Sequence, residues 1–397
     1  MKSNYALRIT HFAFLIVFSA IFIFNSAVQA AGEVPELWAD SAILIEASTG
    51  RVIFEKNADD VRPPASMTKM MTCILGIEYL QPTDQITISA EAAATEYSDL
   101  MLQAGNIISA KDLLQGTMLV SDNGGAVAIA QAVGGNIPNF AQMMNDKAKE
   151  IGCTNTNFEN PNGLTSAGHL STARDMAKIA AYCMKNSEFR NYVGTNIGNV
   201  HLTVPDRTFD ALNTNKLLET YQGCTGIKTG YTYAAGGCLA ASAKRGDIEL
   251  IAVVMHSADM ETRFTDAAKL LDYGFANVES VKKIEVGDIK QVVFVRGGKN
   301  GLVHVEAKDN FNFPILKDED EKLLKITYDL PKITDAEIER GNIIGEAILN
   351  YDGKPVAKIP LTATENVAKG FSFSSTLVKI SESFKPATQN WLLKFVA

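Results

Sequence analysis

Two β-rich runs stand first in the apolar pattern, Ser41-Ala42-Ile43-Leu44-Ile45-Glu46 and Arg51-Val52-Ile53-Phe54-Glu55. The turn-forming stretch Ala47-Ser48-Thr49-Gly50 between them predicts a hairpin. After Pro63-Pro64 the period lengthens, and Met67, Met70, Met71, Ile74, Leu75 and Ile77 fall on or near one helical stripe. Ser109-Ala110-Lys111-Asp112 has the form of an N-cap with an acidic third position, opening a helix over 113–120. Further helices are predicted over 124–133, 140–151 and 173–184, the last capped by Ser171 or Thr172. From Cys238 to His256 the pattern is strand-like again, in runs 238–243 and 248–255, and a final helix spans 262–274.

Strands at both ends of a mostly helical middle predict a discontinuous α+β body: an antiparallel sheet with helices and an all-helical insert. Beyond residue 279 the texture changes. Short runs such as Val292-Val293-Phe294-Val295 and Leu302-Val303-His304-Val305 alternate with Gly- and Asp-rich turns, the pattern of a small β-sandwich. The expected division is therefore a leader over 1–30, the α+β body over 31–278, a β-sandwich over 279–370 and a tail over 371–397.

The leader rests on three features in order. Lys2 and Arg8 come first with no acidic residue, then an apolar run from Phe12 to Phe24, then the small-residue ending Val28-Gln29-Ala30. That order is a secretory signal, and the run is short for a membrane span. Its removal takes the formal charge from −8 to −10, which argues against nucleic acid as a partner. Five cysteines at scattered spacing (Cys73, Cys153, Cys183, Cys224, Cys238) match no compact disulfide scaffold and read as small buried residues, a single bridge staying open. With no metal-ligand cluster among the dispersed histidines, no cofactor is expected.

Three short motifs carry the chemistry. In Ser66-Met67-Thr68-Lys69 the hydroxyl and the amine lie three apart on a helix face. Serine needs a base to act as a nucleophile, and a lysine can serve once desolvation lowers its pKa. Ser121-Asp122-Asn123, at a helix–helix junction, offers a second hydroxyl for proton relay and an amide for a substrate peptide group. Lys228-Thr229-Gly230, placed at the opening of a strand, offers a cation and a hydroxyl for a carboxylate and a glycine against which substrate can lie. The triplet, in this order, is that of penicillin-binding proteins and class A β-lactamases.

On these motifs the sequence resembles the exported serine-type D-alanyl-D-alanine carboxypeptidases, the low-molecular-mass penicillin-binding proteins. The resemblance extends through Asn160-Pro161-Asn162-Gly163-Leu164, His169 to Met176, Asn215-Lys216-Leu217-Leu218, Gly226 to Thr232 and Lys269 to Phe275. It implies a β-lactamase/transpeptidase-like body. Ser66 would be the acylated nucleophile, Lys69 its base, and Ser121 and Asn123 the relay and substrate clamp. Lys228 and Thr229 would meet the substrate carboxylate, with Gly230 beside it, and the N–H groups of Ser66 and Tyr231 would form the oxyanion hole. The implied partners are a peptidoglycan stem peptide ending in D-Ala-D-Ala and β-lactams as covalent inhibitors. Departures stand at Asp122 and Gly124, where relatives often carry a small and an acidic residue, and at Thr214 and Ala258, which stand at arginine positions.

A class A β-lactamase would need a Glu-x-x-Leu-Asn segment after the second motif. Glu150, Glu159, Glu188 and Glu219 are the glutamates available, and none has that context. A slow-acylating penicillin- or peptidoglycan-binding scaffold is the non-enzymatic alternative. His169 reads as structural, the Met67/Met70/Met71 group as core, and Asp318 to Lys322 as a solvated loop. Terminal Trp391, Leu392, Leu393 and Phe395 with Lys379, Lys385 and Lys394 predict an amphipathic segment on the outer face of the cytoplasmic membrane. The competing expectation is a helix or strand packed on the β-sandwich.

Overall fold

The computed structural model describes residues 33–289, 291–383 and 386–394. The leader expected over 1–30 and the last three residues of the tail lie outside them. β1 (Ser41–Glu46) is buried along its whole length, as its run of small and branched residues requires of a strand enclosed on both faces. β2 (Val52–Lys56) returns beside it, pairing Leu44 with Phe54. The expected hairpin forms, its turn tied by Glu46, which accepts hydrogen bonds from the amides of Ser48 (3.1 Å) and Thr49 (2.8 Å).

A 3-10 turn over Ala65–Thr68 leads into the helix Lys69–Tyr79. β3 (Gln85–Thr87) and β4 (Ile107–Ser109) follow, then helices Ala110–Val120, Asn123–Gly134, Ile137–Ile151, Ala173–Cys183 and Ser187–Gly194. Ser109 and Thr172 cap their helices as the sequence predicts. β5 (Ile197–Val204) and β6 (Arg207–Leu212) then complete a four-stranded sheet of order β3-β4-β5-β6. The insert is therefore helices with a small sheet, not helices alone. In β5 only Gly198, Val200 and Leu202 turn inward, an alternation too short and polar to mark a strand in the sequence.

β7 (Cys224–Thr232), β8 (Gly236–Arg245) and β9 (Ile248–Ser257) close the main sheet in the antiparallel order β2-β1-β9-β8-β7. Alternate residues serve two cores. Ile43, Ile45, Ala240, Ile251 and Val253 pack toward the helical insert. Ala42, Leu44, Leu239, Leu250 and Val254 pack against the helix Thr262–Asn277 through Phe264, Ala267, Leu270 and Leu271.

A separate core, built on Val293, Val295, Val303, Val305, Phe313, Leu349 and Leu361, holds the second half. Here β10 (Val278–Ile284), β11 (Gln291–Arg296), β12 (Leu302–Ala307), β13 (Phe311–Leu316), β14 (Leu324–Asp329), β15 (Ile333–Asp335), β16 (Ile343–Tyr351) and β17 (Lys354–Ala363) form two sheets, β10-β13 and β14-β16-β17-β12-β11-β15. Arg51, beside the first hairpin turn, reaches this module. Its guanidinium donates to the Pro314 carbonyl (2.8 Å), pairs with Glu319 and lies over the rings of Phe313 and Tyr351. The acidic run expected to be a solvated loop thus gives Glu319 to an ion pair and to the Leu316 amide (2.8 Å).

The tail folds as helices Phe373–Ser381 and Pro386–Leu393. Val378 is fully buried, and Arg296 joins the carboxylates of Asp335 (2.7 Å) and Glu382 (2.8 Å). Phe371 and Phe373 stand out at 86% and 76% exposure. Among the described residues no helix is long and apolar enough to cross a membrane.

Candidate active site

Ser66 lies in the 3-10 turn ahead of the helix, where the backbone is tightly bent: Ala65 has φ +48°. Two glycines let neighbouring segments close on that turn. A Cβ on Gly163 (φ +88°) would fall 2.0 Å from the Ala65 carbonyl oxygen, and one on Gly230 would fall 3.0 Å from the Ser66 amide nitrogen. The amide of Ser66 therefore faces β7 at Gly230, with Tyr231 next along the strand.

Lys69 is completely buried. Its Nζ lies 3.0 Å from Ser66 Oγ, 2.7 Å from Asn123 Oδ1 and 2.7 Å from the Asn162 carbonyl oxygen. Burial pushes the amine down from the usual lysine value to about 7, against the opposing pull of the Asp122 carboxylate. A neutral amine has two N–H donors and one lone pair. The two carbonyl oxygens take the donors, so the lone pair is left for the proton of Ser66 Oγ.

The Asn160–Leu164 loop that supplies the Asn162 carbonyl is held by its own side chains. Gly163 N donates to Asn160 Oδ1 (2.8 Å) and Leu164 N to Asn162 Oδ1 (3.0 Å). Thr72, one turn beyond Lys69, donates to the Pro161 carbonyl (2.6 Å) and ties that loop to the helix. His169 is buried against the same helix. Its Nδ1 accepts from the Glu159 amide (3.0 Å), which leaves Nε2–H to donate to Thr68 Oγ1 (2.8 Å). Burial lowers its pKa to about 4, so it is a neutral structural ring, as the sequence suggests.

The second motif joins two helices. Ser121 ends the Ala110–Val120 helix in the left-handed region (φ +66°) and lines the cleft. Asp122 caps the next helix, accepting from Gly125 N (2.5 Å) and also from Leu100 N (2.7 Å). Burial raises its pKa, while those two amides favour the carboxylate. Asn123 gives Oδ1 to Lys69 and donates Nδ2 to the Glu96 carbonyl (2.9 Å), so both ends of its amide are engaged.

The third motif sits in the middle of β7, not at its opening, because the strand already begins at Cys224. Lys228 is fully buried, with Nζ donating to the Thr229 carbonyl (3.2 Å). Burial first, then the cations Lys69 and Arg263, hold its amine well below the usual lysine value. Thr229 Oγ1 and Thr214 Oγ1 lie 2.6 Å apart.

Arg263 is the residue that sequence reasoning missed. From the first turn of the Thr262–Asn277 helix, its Nη1 donates to the Gly230 carbonyl (2.7 Å), while its buried Nε has no partner among the described residues. The cleft thus holds an arginine although Ala258 and Thr214 do not supply one. A signal was present: a cation in the first turn of a helix opposes the macrodipole and calls for another reason to be there.

These groups meet in a cleft of about 810 Å³, lined by Ser66, Ser121, Asn123, Thr229, Gly230, Tyr231 and Arg263, with Glu96, Tyr97, Asp99, Tyr233 and Met260 at its rim. None of the four glutamates between the second and third motifs lines it. All five cysteines are free thiols. Among the described residues no group of His, Cys, Asp or Glu is placed to hold a metal ion.

Residues 27–259 match the family model described as D-alanyl-D-alanine carboxypeptidase, and 279–369 match that of the penicillin-binding protein 5 C-terminal domain. The chain is 35% identical over 336 residues to the D-alanyl-D-alanine carboxypeptidase DacF of Bacillus subtilis, covering 83% of this chain and 86% of that one. It is 32% identical to DacC of Escherichia coli over 91% of each chain. The structure of penicillin binding protein 5 from Haemophilus influenzae superimposes with a TM-score of 0.66 at 31% identity, over 85% of this chain and all of that one. The DD-transpeptidase of Streptomyces K15 gives 0.59 at 32% identity, over 62% of this chain and all of that one.

Proposed function

This chain belongs to the D-alanyl-D-alanine carboxypeptidase family, and we propose that Ser66 carries that reaction as the acylated nucleophile. The enzyme is a serine carboxypeptidase that removes the terminal D-Ala of peptidoglycan stem peptides. Neutral Lys69 takes the Ser66 proton as Oγ attacks the carbonyl carbon of the penultimate D-Ala. The oxyanion forms against the amides of Ser66 and Tyr231. The proton passes by way of Ser121 to the leaving nitrogen, the last D-Ala departs, and an ester remains on Ser66. Water, deprotonated by Lys69, then hydrolyses that ester.

The terminal carboxylate of the substrate is met by Lys228, Thr229 and Arg263, whose unpartnered Nε and buried charge gain an anion only when substrate arrives. Gly230 lets the peptide lie along β7, and Asn123 exchanges its contact with Glu96 for the substrate amide. The observation that carries this reading is the buried Lys69 amine, its Nζ 3.0 Å from Ser66 Oγ and 2.7 Å from both Asn123 Oδ1 and the Asn162 carbonyl oxygen.

Mass spectrometry of the protein with penicillin, then with diacetyl-Lys-D-Ala-D-Ala, tests it. A penicilloyl adduct on Ser66 with D-alanine released from the peptide is expected, and Ser66→Ala should abolish both. An adduct without release would instead indicate the slow-binding scaffold, and rapid adduct turnover a β-lactamase.

The leader and the acidic charge support an exported enzyme of the cell envelope. The exposed Phe371 and Phe373, flanked by Lys369 and Lys379, support peripheral attachment of the tail to the outer face of the cytoplasmic membrane.

A further inference from the structure

Two walls of unlike charge meet at Ser66. Gly230 abuts the Ser66 amide from the wall that carries Lys228 and Arg263, where the buried Nε of Arg263 has no partner among the described residues. Asn123 is joined to Ser66 through Lys69 from the other wall, and beyond it the cleft is lined by Glu96, Tyr97 and Asp99. Neither carboxylate of that acidic segment has a hydrogen bond or an ion pair among the described residues. They are uncommitted anions in the substrate cleft.

The segment that bears them is fixed from below by the second motif. Asp122 accepts the Leu100 amide (2.7 Å), and Gly124 N donates to Ser98 Oγ (2.8 Å). A Cβ on Gly124 would stand 2.6 Å from the Ala92 carbonyl oxygen and 2.9 Å from Ser98 Oγ, so only glycine admits the loop this closely. Asp122 and Gly124 thus both hold the acidic loop in place.

A stem peptide whose terminal carboxylate is drawn to Arg263 runs away from it past Ser66. The residue before its D-Ala pair then comes to the acidic wall. Resting on the carboxypeptidase reading above, we infer that Glu96 and Asp99 select stems in which that residue carries a free side-chain ammonium. The enzyme then trims uncrosslinked stems ahead of those whose amine is already acylated, with Asp122 and Gly124 as positioning residues for the selection.

The test is D-alanine release by the whole protein from two peptides that differ at one nitrogen: Nα-acetyl-Lys-D-Ala-D-Ala, with a free ε-amine, and the diacetyl peptide. Exposed carboxylates are screened, so the expected advantage in kcat/KM of the free amine is about fivefold. It should shrink as salt rises from low to physiological strength. In Glu96→Gln/Asp99→Asn the ratio should fall to about one. In Asp99→Lys it should reverse, favouring a peptide whose ε-amine is succinylated. Penicilloyl adduct formation shows that each variant is folded.

A wild-type ratio of one, or a ratio that survives in the double variant, would overturn the inference. Absence of D-alanine release from both peptides, with no adduct on Ser66, would overturn the carboxypeptidase reading and this inference with it. Release from both at equal rates sinks the inference alone.

Discussion

At the scale of single residues, burial decides the chemistry. Burial brings the Lys69 amine down to about 7, so on the proposed mechanism the fraction able to accept the Ser66 proton rises with pH through that value. Acylation by penicillin should increase about tenfold per pH unit below 7 and level off above it, in stopped-flow or mass-spectrometric time courses. Arg263→Ala removes the cation with the unpartnered Nε. The kcat/KM for a carboxylate-ended peptide should drop about 10- to 100-fold, with a much smaller effect on the amidated peptide. His169 behaves as a depressed base. Its contribution to stability is complete above the ordinary value of 6.5 and is lost as pH falls toward about 4. The loss amounts to roughly 3 kcal/mol. Melting temperatures across that window should therefore fall more steeply in the wild type than in His169→Gln.

At the scale of elements, the site depends on close approaches that only glycine permits. Gly163→Ala sets a methyl group against the Ala65 carbonyl at a left-handed position. It should cost at least about 1 kcal/mol in urea unfolding and slow penicillin acylation, because the nucleophile turn has to shift. The same scale explains what the sequence disclosed. That Ser66, Lys69 and Asn123 come together was legible because the residues that such chemistry needs stand in short motifs with fixed spacing. The caps at Ser109 and Thr172 were legible because they obey local hydrogen-bonding rules. β5 and β6 were not, since their inward positions are few, and neither was Arg263, whose partner Gly230 is distant in sequence. What Asp122 holds was also hidden. Its partner Leu100 belongs to a loop whose position is set by packing and not by local pattern.

At the scale of the whole molecule, the catalytic body and the β-sandwich meet at Arg51, which pairs with Glu319 and covers Phe313. The tail helices rest on the sandwich through Val378 and the Arg296–Glu382 pair, leaving Phe371 and Phe373 outward. A vesicle cosedimentation assay with anionic lipid should show the full chain bound and Phe371→Ser/Phe373→Ser largely released, while activity on soluble peptides persists. On the proposed membrane attachment, the sandwich and tail would hold the cleft at a set distance from that surface.

The order of strands in the main sheet has a consequence for how the molecule is made. β1, among the first elements synthesised, is completed by β9, among the last of the body, with Ala42 lying opposite Val254. Pairings so distant in sequence form late in folding. A nascent chain therefore cannot assemble the sheet under Ser66 until Ser257 has emerged, and a ribosome-bound fragment ending before Ile248 should take up no labelled penicillin. On the proposed export of the chain as an open strand, that delay would keep the polypeptide translocatable until it has crossed.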